Sequence, residues 1–145
     1  MKEITCAVLI TQSINNEKHL FMAHSTGNNF WDVPKGVGEV GEAAVDTAIR
    51  ELREETGFIV TADELVDMGI CAYNGKKDMH VFVYNGNTVF ESKEGVCTSF
   101  FMCPYTQKEK VEVDDFKYVP FSDVRSHCTK SFIKVFDKVI SFLNK

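Results

Sequence analysis

Short apolar runs alternate with polar turns along most of this chain, and the pattern changes to a helical period in two places. β-Branched and other apolar residues dominate the strand-like runs, which are 3–11, 18–24, 30–33, 65–73, 78–84 and 98–103. The polar segment Ser13–Glu17 separates the first two runs, so these are predicted to pair as a hairpin. Asn74-Gly75 is a strong turn signal that predicts a second hairpin, and residues 105–110 are polar and predicted to be a loop.

Two segments have the hydrophobic period of an amphipathic helix. Residues 43–56 lack Gly and Pro and end before Gly57, a residue favoured just past a helix. At about 100° per residue, the apolar side chains of this helix fall on one arc that consists of Ala44, Val45, Ala48, Ile49 and Leu52. Residues 131–143 form a terminal helix, and residues 121–123 are expected to start one helical turn. The predicted fold class is α/β (α+β), with several strands, one central helix and one terminal helix.

Length and composition limit the classes of protein to which this chain can belong. The 145 residues are 44% hydrophobic and 26% charged, which is typical of a globular protein, and residues 1–145 are predicted to be a single domain. The net charge of −5 argues against non-specific binding to duplex nucleic acid, and no apolar run is long enough to span a membrane. The five cysteines are scattered and contain no C-x-x-C pair, so we expect reduced thiols in a cytoplasmic protein.

Three glutamates of the central helix share one stripe. Glu51, Glu54 and Glu55 have the i, i+3, i+4 relation, so their carboxylates gather on one side of the helix. Like charges this close raise each other's pKa, and the cation expected to compensate them is a hard divalent ion such as Mg²⁺ or Mn²⁺. Arg50 can pair with Glu54 at i+4 and neutralises the stripe only in part. The alternative interpretation is a solvated acidic helix face.

The residue spacing around this stripe matches a known signature. Gly36 is followed after five residues by Glu42, and after seven more by Arg50-Glu-Leu-x-Glu-Glu-x-Gly57-Phe58, with Trp31-Asp-Val-Pro-Lys35 directly before. The pattern resembles the signature of the Nudix hydrolase family over 23 of the 145 residues, and only Phe58 departs from it, where an aliphatic residue is commoner. Its three glycines also satisfy a dinucleotide-binding fingerprint, but no buried strand runs straight into the first of them.

The resemblance implies the Nudix fold, in which a mixed β-sheet is sandwiched between α-helices, and a nucleotide pyrophosphohydrolase that uses Mg²⁺ or Mn²⁺. Carried over by position, the implied metal ligands are Glu51, Glu54, Glu55 and the Gly36 carbonyl. Arg50 is expected to orient these carboxylates, and Glu42 to support the glycine loop 36–41 as a secondary partner. Either Glu51 or Glu54 would take the proton of the attacking water, and an extra metal-binding carboxylate is expected from Glu112, Asp114 or Asp115.

The substrate that the resemblance implies is a small nucleotide in which a nucleoside diphosphate is linked to another group. We favour a dinucleoside polyphosphate or an ADP-ribose-like compound. RNA-end decapping and hydrolysis of oxidised nucleotides are alternatives, and a non-catalytic nucleotide-binding Nudix module is the alternative from a different class. Lys35 either reaches a substrate phosphate or is a solvated lysine, and Trp31 either stacks on a base or belongs to the core. No membrane or duplex partner is expected, and monomer and homodimer both stay open.

Overall fold

The structure is a computed structural model of the protein and describes residues 2–145. Over these residues the strands are β1 (Glu3–Leu9), β2 (Thr11–Ile14), β3 (Glu17–Ser25), β4 (Trp31–Asp32), β5 (Lys35–Val37), β6 (Leu65–Ala72), β7 (Lys77–Tyr84), β8 (Phe100–Met102), β9 (Glu109–Val111) and β10 (Val113–Pro120). The helices are α1 (Ala44–Thr56), α2 (Phe121–His127) and α3 (Lys130–Leu143). Strands and helices are interspersed along the chain, so the predicted α/β (α+β) class is confirmed.

The strands form two larger sheets and one separate hairpin. The first sheet has the order β5-β1-β7-β6, in which β1 and β7 run parallel and the other pairs run antiparallel. In the second sheet β3 pairs with β10, β2 and β4, always antiparallel. β8 and β9 pair only with each other among the described residues. The first sheet is therefore mixed, as predicted.

β1 contributes side chains to both apolar cores. Its residues from Thr5 to Leu9 are buried, and their side chains alternate between the two faces of the sheet. On one face Ala7 and Leu9 join a cluster with side chains of α2 and α3, among them Val124, Phe132, Val135 and Phe136. On the other face Cys6 and Val8 pack with α1 and the segment after it, including Ala48, Leu52, Phe58 and Val60. The sheet is therefore sandwiched between helices, as predicted.

The first predicted hairpin pairs different strands from those expected. β1 pairs with β5 and β7, and the chain crosses to the second sheet at the buried Ile10, so that β2 forms the hairpin with β3. The turn of this hairpin is Asn15-Asn16, whose φ values of 53° and 65° suit a two-residue connection. The prediction of one strand over 3–11 that pairs with 18–24 was wrong, because apolar content does not show where a strand changes its partner.

Four other local predictions also need correction. The run 98–103 contains only the three-residue β8, and the predicted loop over 105–110 contains the start of β9, so this region is a hairpin. Gly36 lies within β5, where it pairs with Cys6 of β1, and is not the first residue of a loop. α2 has seven residues and is therefore longer than one turn. Gly36 is held by pairing with β1, far earlier in the sequence, whereas β8 and β9 pair with each other across a short connection.

α1 has its predicted bounds to within one residue. Gly57 follows the helix with a φ of 80°, and its N–H donates to the Arg53 carbonyl at 2.8 Å, so the helix ends in a left-handed cap that glycine permits. Ala48 and Leu52 are buried under the predicted apolar arc, whereas Arg53 is exposed on the other side. This orientation brings one side of α1 against β5 and the acidic stripe to the edge of the sheet.

Two further features bear on the expectations from composition. The five cysteines are free thiols, three of them buried. Burial raises the pKa of the Cys6 thiol to about 11, so this side chain is protonated at neutral pH and acts as an apolar core residue. Among the helices of residues 2–145, none is both long and apolar enough to cross a bilayer.

We predict that Leu52→Ala lowers the free energy of unfolding by about 2–5 kcal/mol, because it leaves a cavity beneath α1 where the leucine is fully buried. The matched control is Arg53→Ala, which truncates an exposed side chain of the same helix and should change the free energy of unfolding by less than about 0.5 kcal/mol. Urea unfolding followed by circular dichroism measures both variants. Equal losses would contradict the placement of the apolar arc.

Candidate active site

A cavity of about 850 Å³ opens beside the acidic side of α1. Its walls come from the end of β3, the β4–β5 segment, α1, the β6–β7 turn and the β8–β9 hairpin. Its charged lining consists of four acids and three lysines within residues 2–145, namely Asp32, Glu51, Glu55, Glu112, Lys35, Lys77 and Lys110. A concave site of this size with a few convergent polar groups is typical of small-molecule binding.

Glu51 and Glu55 face this cavity from successive turns of α1, and they are only 9% and 5% exposed. Burial raises the pKa of both carboxyl groups, and that of Glu55 lies well above its ordinary value. Lys35 opposes this effect at Glu55 and Arg50 opposes it at Glu51, while the Glu51 charge raises the pKa of Glu55 further. Two buried carboxylates this close need a compensating cation to stay ionised.

The Arg50 guanidinium links the acidic stripe to the segment before the helix. Its Nε and Nη2 donate to the Glu42 carboxylate at 2.8 and 2.9 Å. Its Nη1 donates to Glu51 at 2.9 Å and to Glu54 at 3.2 Å. Hydrogen bonds between charged groups are short and directional, so this geometry fixes the orientation of both glutamates.

Glu42 in turn holds the segment that leads into α1. Its Oε1 accepts hydrogen bonds from the Glu39 N–H at 3.0 Å and from the Thr47 hydroxyl at 2.7 Å. These contacts, with the Arg50 hydrogen bond as the largest cause, lower the pKa of Glu42 to about 2. Thr47 was not predicted as a site residue, and its only signal in the sequence is its position one turn into the helix.

Gly36 provides the closest approach of the backbone to the acidic stripe. A Cβ atom at this position would overlap the Glu51 carboxylate, so a side chain at residue 36 would displace that carboxylate from its place beside β5. The strand pairing of Gly36 with Cys6 of β1 fixes the backbone in this place. The sequence motif identified Gly36 as a site residue, but it did not indicate that Gly36 belongs to a strand.

Lys35 is a cavity lysine and not a solvated one, because its ammonium lies 3.5 Å from the Asp32 carboxylate and its side chain is 28% exposed. The same carboxylate accepts the Tyr73 hydroxyl at 2.6 Å and the Val33 N–H at 2.8 Å. Asp32 is 5% exposed, and both it and Tyr73 line the cavity. Asp32, which lies between Trp31 and Pro34 in the motif, was not predicted as a site residue.

Trp31 is not brought to the cavity. Its half-buried ring packs against the larger apolar cluster, with the His24 ring at 5.1 Å and the Lys117 ammonium at 4.4 Å from its centroid. The structure therefore favours the core interpretation of this residue. The aromatic residues that do line the cavity are Phe30, Tyr73, Phe101 and Tyr105.

One of the three downstream carboxylates reaches the cavity. Glu112, between β9 and β10, lines it, and its charge raises the pKa of Glu55. Asp114 instead contacts His24 Nδ1 at 2.5 Å, and Asp115 accepts the Phe116 N–H at 2.8 Å. The three candidates were indistinguishable in the sequence, and the ladder of β10 with β3 has a register shift between Val113 and Asp115, beyond Glu112.

The oxygen ligands at this site fit a hard divalent cation whose coordination a bound substrate would complete. Within residues 2–145, no three His, Cys, Asp or Glu side chains converge into a ready-made metal cage. Glu54 contacts Arg50, which leaves Glu51 and Glu55 as the helix carboxylates that line the cavity. Mg²⁺ usually binds through one or two carboxylates together with water and substrate phosphates, so this buried pair beside the Gly36 backbone fits such an ion.

Sequence comparison identifies relatives over most of the chain. A family model described as the NUDIX domain matches residues 4–137. The chain is similar to the uncharacterised 17.7 kDa protein of the e-segB intergenic region of Enterobacteria phage T4, with 32% identity over 136 residues, and the match covers 77% of this chain and 88% of the relative.

Solved structures of low sequence identity share the fold. The NUDIX domain of Shewanella oneidensis NrtR in complex with ADP ribose has a TM-score of 0.68 and 11% identity, with coverage of 99% of this chain and 89% of that chain. A binary complex of a C. elegans Ap4A hydrolase has a TM-score of 0.64 and 16% identity, with coverage of 98% of both chains. The predicted Nudix fold is therefore confirmed. Because the family match spans nearly the whole chain and the fold agrees with it, this protein belongs to the Nudix hydrolase family and is an enzyme of that class.

Proposed function

We propose that this protein hydrolyses a phosphoanhydride bond in a nucleotide whose nucleoside diphosphate is linked to another group, and that residues 1–145 act as a single domain. The observation that carries the proposal is the buried pair Glu51 and Glu55, which faces a cavity of about 850 Å³ that also contains Lys35. Two acids that need a cation, next to a lysine that can contact a phosphate, suit a diphosphate bound together with a metal ion.

Nudix hydrolases generally use divalent metal ions. We assign the ion, Mg²⁺ or Mn²⁺, to Glu51, Glu54, Glu55 and the Gly36 carbonyl, with Glu112 as the additional carboxylate. Glu54 supports this assignment because it shares the Arg50 Nη1 donor with Glu51, so the two carboxylates lie side by side. An ion bound there supplies Lewis-acid polarisation of a phosphoryl oxygen and a water of lowered pKa.

Of the two predicted proton acceptors, Glu51 is favoured over Glu54. Glu51 lines the cavity, and burial raises the pKa of its carboxyl group, which favours this residue as the general base. Arg50 holds Glu51 Oε1, so we place proton acceptance at Oε2. Arg50 and Glu42 do not accept the proton in this scheme, and their contribution is to keep Glu51 oriented.

The rest of the cavity suits a substrate with more than one phosphate and an aromatic base. Lys35, Lys77 and Lys110 supply positive charge for phosphate oxygens. Phe30, Phe101 and Tyr105 offer ring surfaces for a base, whereas Trp31 is half-buried against the core and does not line the cavity. The ADP ribose bound by the NrtR domain and the Ap4A named for the C. elegans hydrolase support a dinucleoside polyphosphate or an ADP-ribose-like compound as the substrate.

The alternative of a non-catalytic nucleotide-binding module is less well supported. A module that only binds would not need a network that fixes the orientation of two carboxylates. Here Arg50 makes charge-assisted hydrogen bonds with Glu42, Glu51 and Glu54. This network is what an enzyme requires for positioning, so we retain hydrolysis as the function.

Hydrolysis of a nucleotide panel in ¹⁸O-labelled water tests the proposal. With Mg²⁺ or Mn²⁺, we expect two nucleotide or phosphoester products from a dinucleoside polyphosphate or ADP-ribose, with the label on one product phosphate. RNA with a 5′-triphosphate and oxidised nucleoside triphosphates test the two alternative substrates. Undiminished turnover after exhaustive chelation, or efficient release of phosphate from AMP, would show that metal-dependent anhydride hydrolysis is not the activity.

Glu55→Gln is expected to lower kcat by roughly 10²-fold or more, because it removes a ligand charge and preserves shape. Its free energy of unfolding without metal should rise at neutral pH. Because the folded pKa of Glu55 is raised, the ionised group destabilises the fold once pH exceeds the unfolded value of about 4.3, and the glutamine lacks this cost.

The stability difference between wild type and Glu55→Gln should therefore shrink as pH falls towards 4, which urea unfolding at several pH values measures. Glu54→Gln is the matched comparison, because Glu54 is partly exposed and pairs with Arg50. It is expected to lose activity to a similar extent without the gain in stability. An unstable Glu55→Gln with near-normal kcat would assign Glu55 a structural role only.

Gly36→Ala is expected to lower kcat by roughly 10²-fold, because the new methyl group displaces the Glu51 carboxylate and small misplacements of catalytic groups have effects of this size. The control is Gly75→Ala in the β6–β7 turn, where an added Cβ meets no atom within 4 Å. Steady-state kinetics on the best substrate of the panel compares them. A fully active Gly36→Ala would contradict the close approach of β5 to Glu51.

A further inference from the structure

Lys35 has two acidic neighbours, and different parts of the residue contact them. Its ammonium lies 3.5 Å from Asp32 Oδ2, whereas its backbone N–H donates to Glu55 Oε1 at 3.4 Å. No ion pair joins the Lys35 ammonium to Glu55 within the described part of the chain, although the two charges influence each other. The ammonium therefore pairs with Asp32 and not with the carboxylate that its own backbone N–H contacts.

Two hydrogen bonds fix the Asp32 carboxylate in place. Its Oδ2 accepts the Tyr73 hydroxyl at 2.6 Å, its Oδ1 accepts the Val33 N–H at 2.8 Å, and the residue is 5% exposed. Tyr73 is itself buried at the end of the β6–β7 hairpin, 41 residues away in the sequence. Asp32 is thus a fixed negative charge, and the flexible lysine side chain adapts to it.

Without the contact to Asp32, the Lys35 ammonium would have another carboxylate to pair with, that of Glu55. Glu51 and Glu55 are two buried carboxylates without enough positive charge around them, and an ammonium on a flexible stem would be drawn to them. An ammonium in contact with Glu55 would neutralise the charge that a divalent cation needs. Asp32 and the Glu51–Glu55 pair therefore compete for the Lys35 ammonium.

We propose that Asp32 and Tyr73 are positioning residues that hold the Lys35 ammonium away from Glu55 and so keep the Glu51–Glu55 pair available to a divalent cation. This inference rests on the proposed function, because it requires the cation to bind at that pair. It assigns a role in metal affinity to two residues that do not themselves bind the metal.

Binding of Mn²⁺ to the protein without substrate tests the inference, with titration followed by electron paramagnetic resonance of the free ion. Asp32→Asn preserves shape and is expected to raise the Kd for Mn²⁺ at least roughly tenfold, because the released ammonium pairs with Glu55. Glu55→Gln establishes which site is measured, since it should weaken binding further.

A double-mutant cycle separates the movement of the lysine from the mere loss of a nearby negative charge. Lys35→Met should improve Mn²⁺ binding at least about fivefold more in the Asp32→Asn background than in the wild type, because only there does the ammonium occupy Glu55. If the gain is equal in the two backgrounds, Asp32 acts on the cation through its charge alone and the inference is overturned.

Tyr73→Phe changes no charge and provides a second test that does not depend on the Asp32 variant folding. It should raise the Kd for Mn²⁺ about threefold, because Asp32 loses one of its two fixing hydrogen bonds. The matched control is Tyr118→Phe, which also loses a hydrogen bond of 2.6 Å, from its hydroxyl to the Phe90 carbonyl, outside the cavity. Equal Mn²⁺ affinity in these two variants would overturn the inference.

The outcomes distinguish the inference from the proposed function. Wild-type protein that binds Mn²⁺, loses affinity in Glu55→Gln and is unaffected by Asp32→Asn and Tyr73→Phe would overturn the inference and leave the function standing. Wild-type protein that does not bind Mn²⁺, with hydrolysis that survives chelation, would overturn both.

Discussion

Two carboxylates that are buried side by side, those of Glu51 and Glu55, impose the constraint on which the site depends. Burial disfavours their charged forms, yet a cation-binding site needs that charge. The fold meets this constraint with β5, whose Gly36 leaves room for the Glu51 carboxylate, and with two basic residues nearby, Arg50 and Lys35. The arrangement of β5 against α1 is thus a requirement of the charged pair as much as of the apolar core.

The acidic stripe and its helix could be predicted because both depend on local spacing. The i, i+3, i+4 relation sets the direction of Glu51, Glu54 and Glu55, and Gly57 fixes where α1 ends, whatever the rest of the chain does. The same reasoning located the terminal helix α3, whose apolar stripe has a helical period. Local patterns were sufficient for a correct prediction where all the residues concerned belong to one helix.

Prediction failed where residues far apart in the sequence meet. The parallel pairing of β1 with β7 joins strands about 70 residues apart, and no local signal distinguishes it from the expected hairpin with 18–24. Asp32 and Tyr73 are 41 residues apart, so their hydrogen bond leaves no pattern in either segment. Trp31 and Asp32 are neighbours in the motif, but strand alternation sends the first to the core and the second to the cavity.

Each basic side chain beside the acidic pair also forms an ion pair with another carboxylate. Arg50 is matched by Glu42, whose pKa is lowered to about 2, so Glu42 stays ionised at any pH at which the protein would work. Lys35 is matched by the fixed Asp32. These two pairs are neutral by formal charge, which leaves the charge of Glu51 and Glu55 uncompensated. A protein that only needed to stabilise its fold would gain from one more lysine there, so the two matching carboxylates make physical sense if that remaining charge is kept for a ligand.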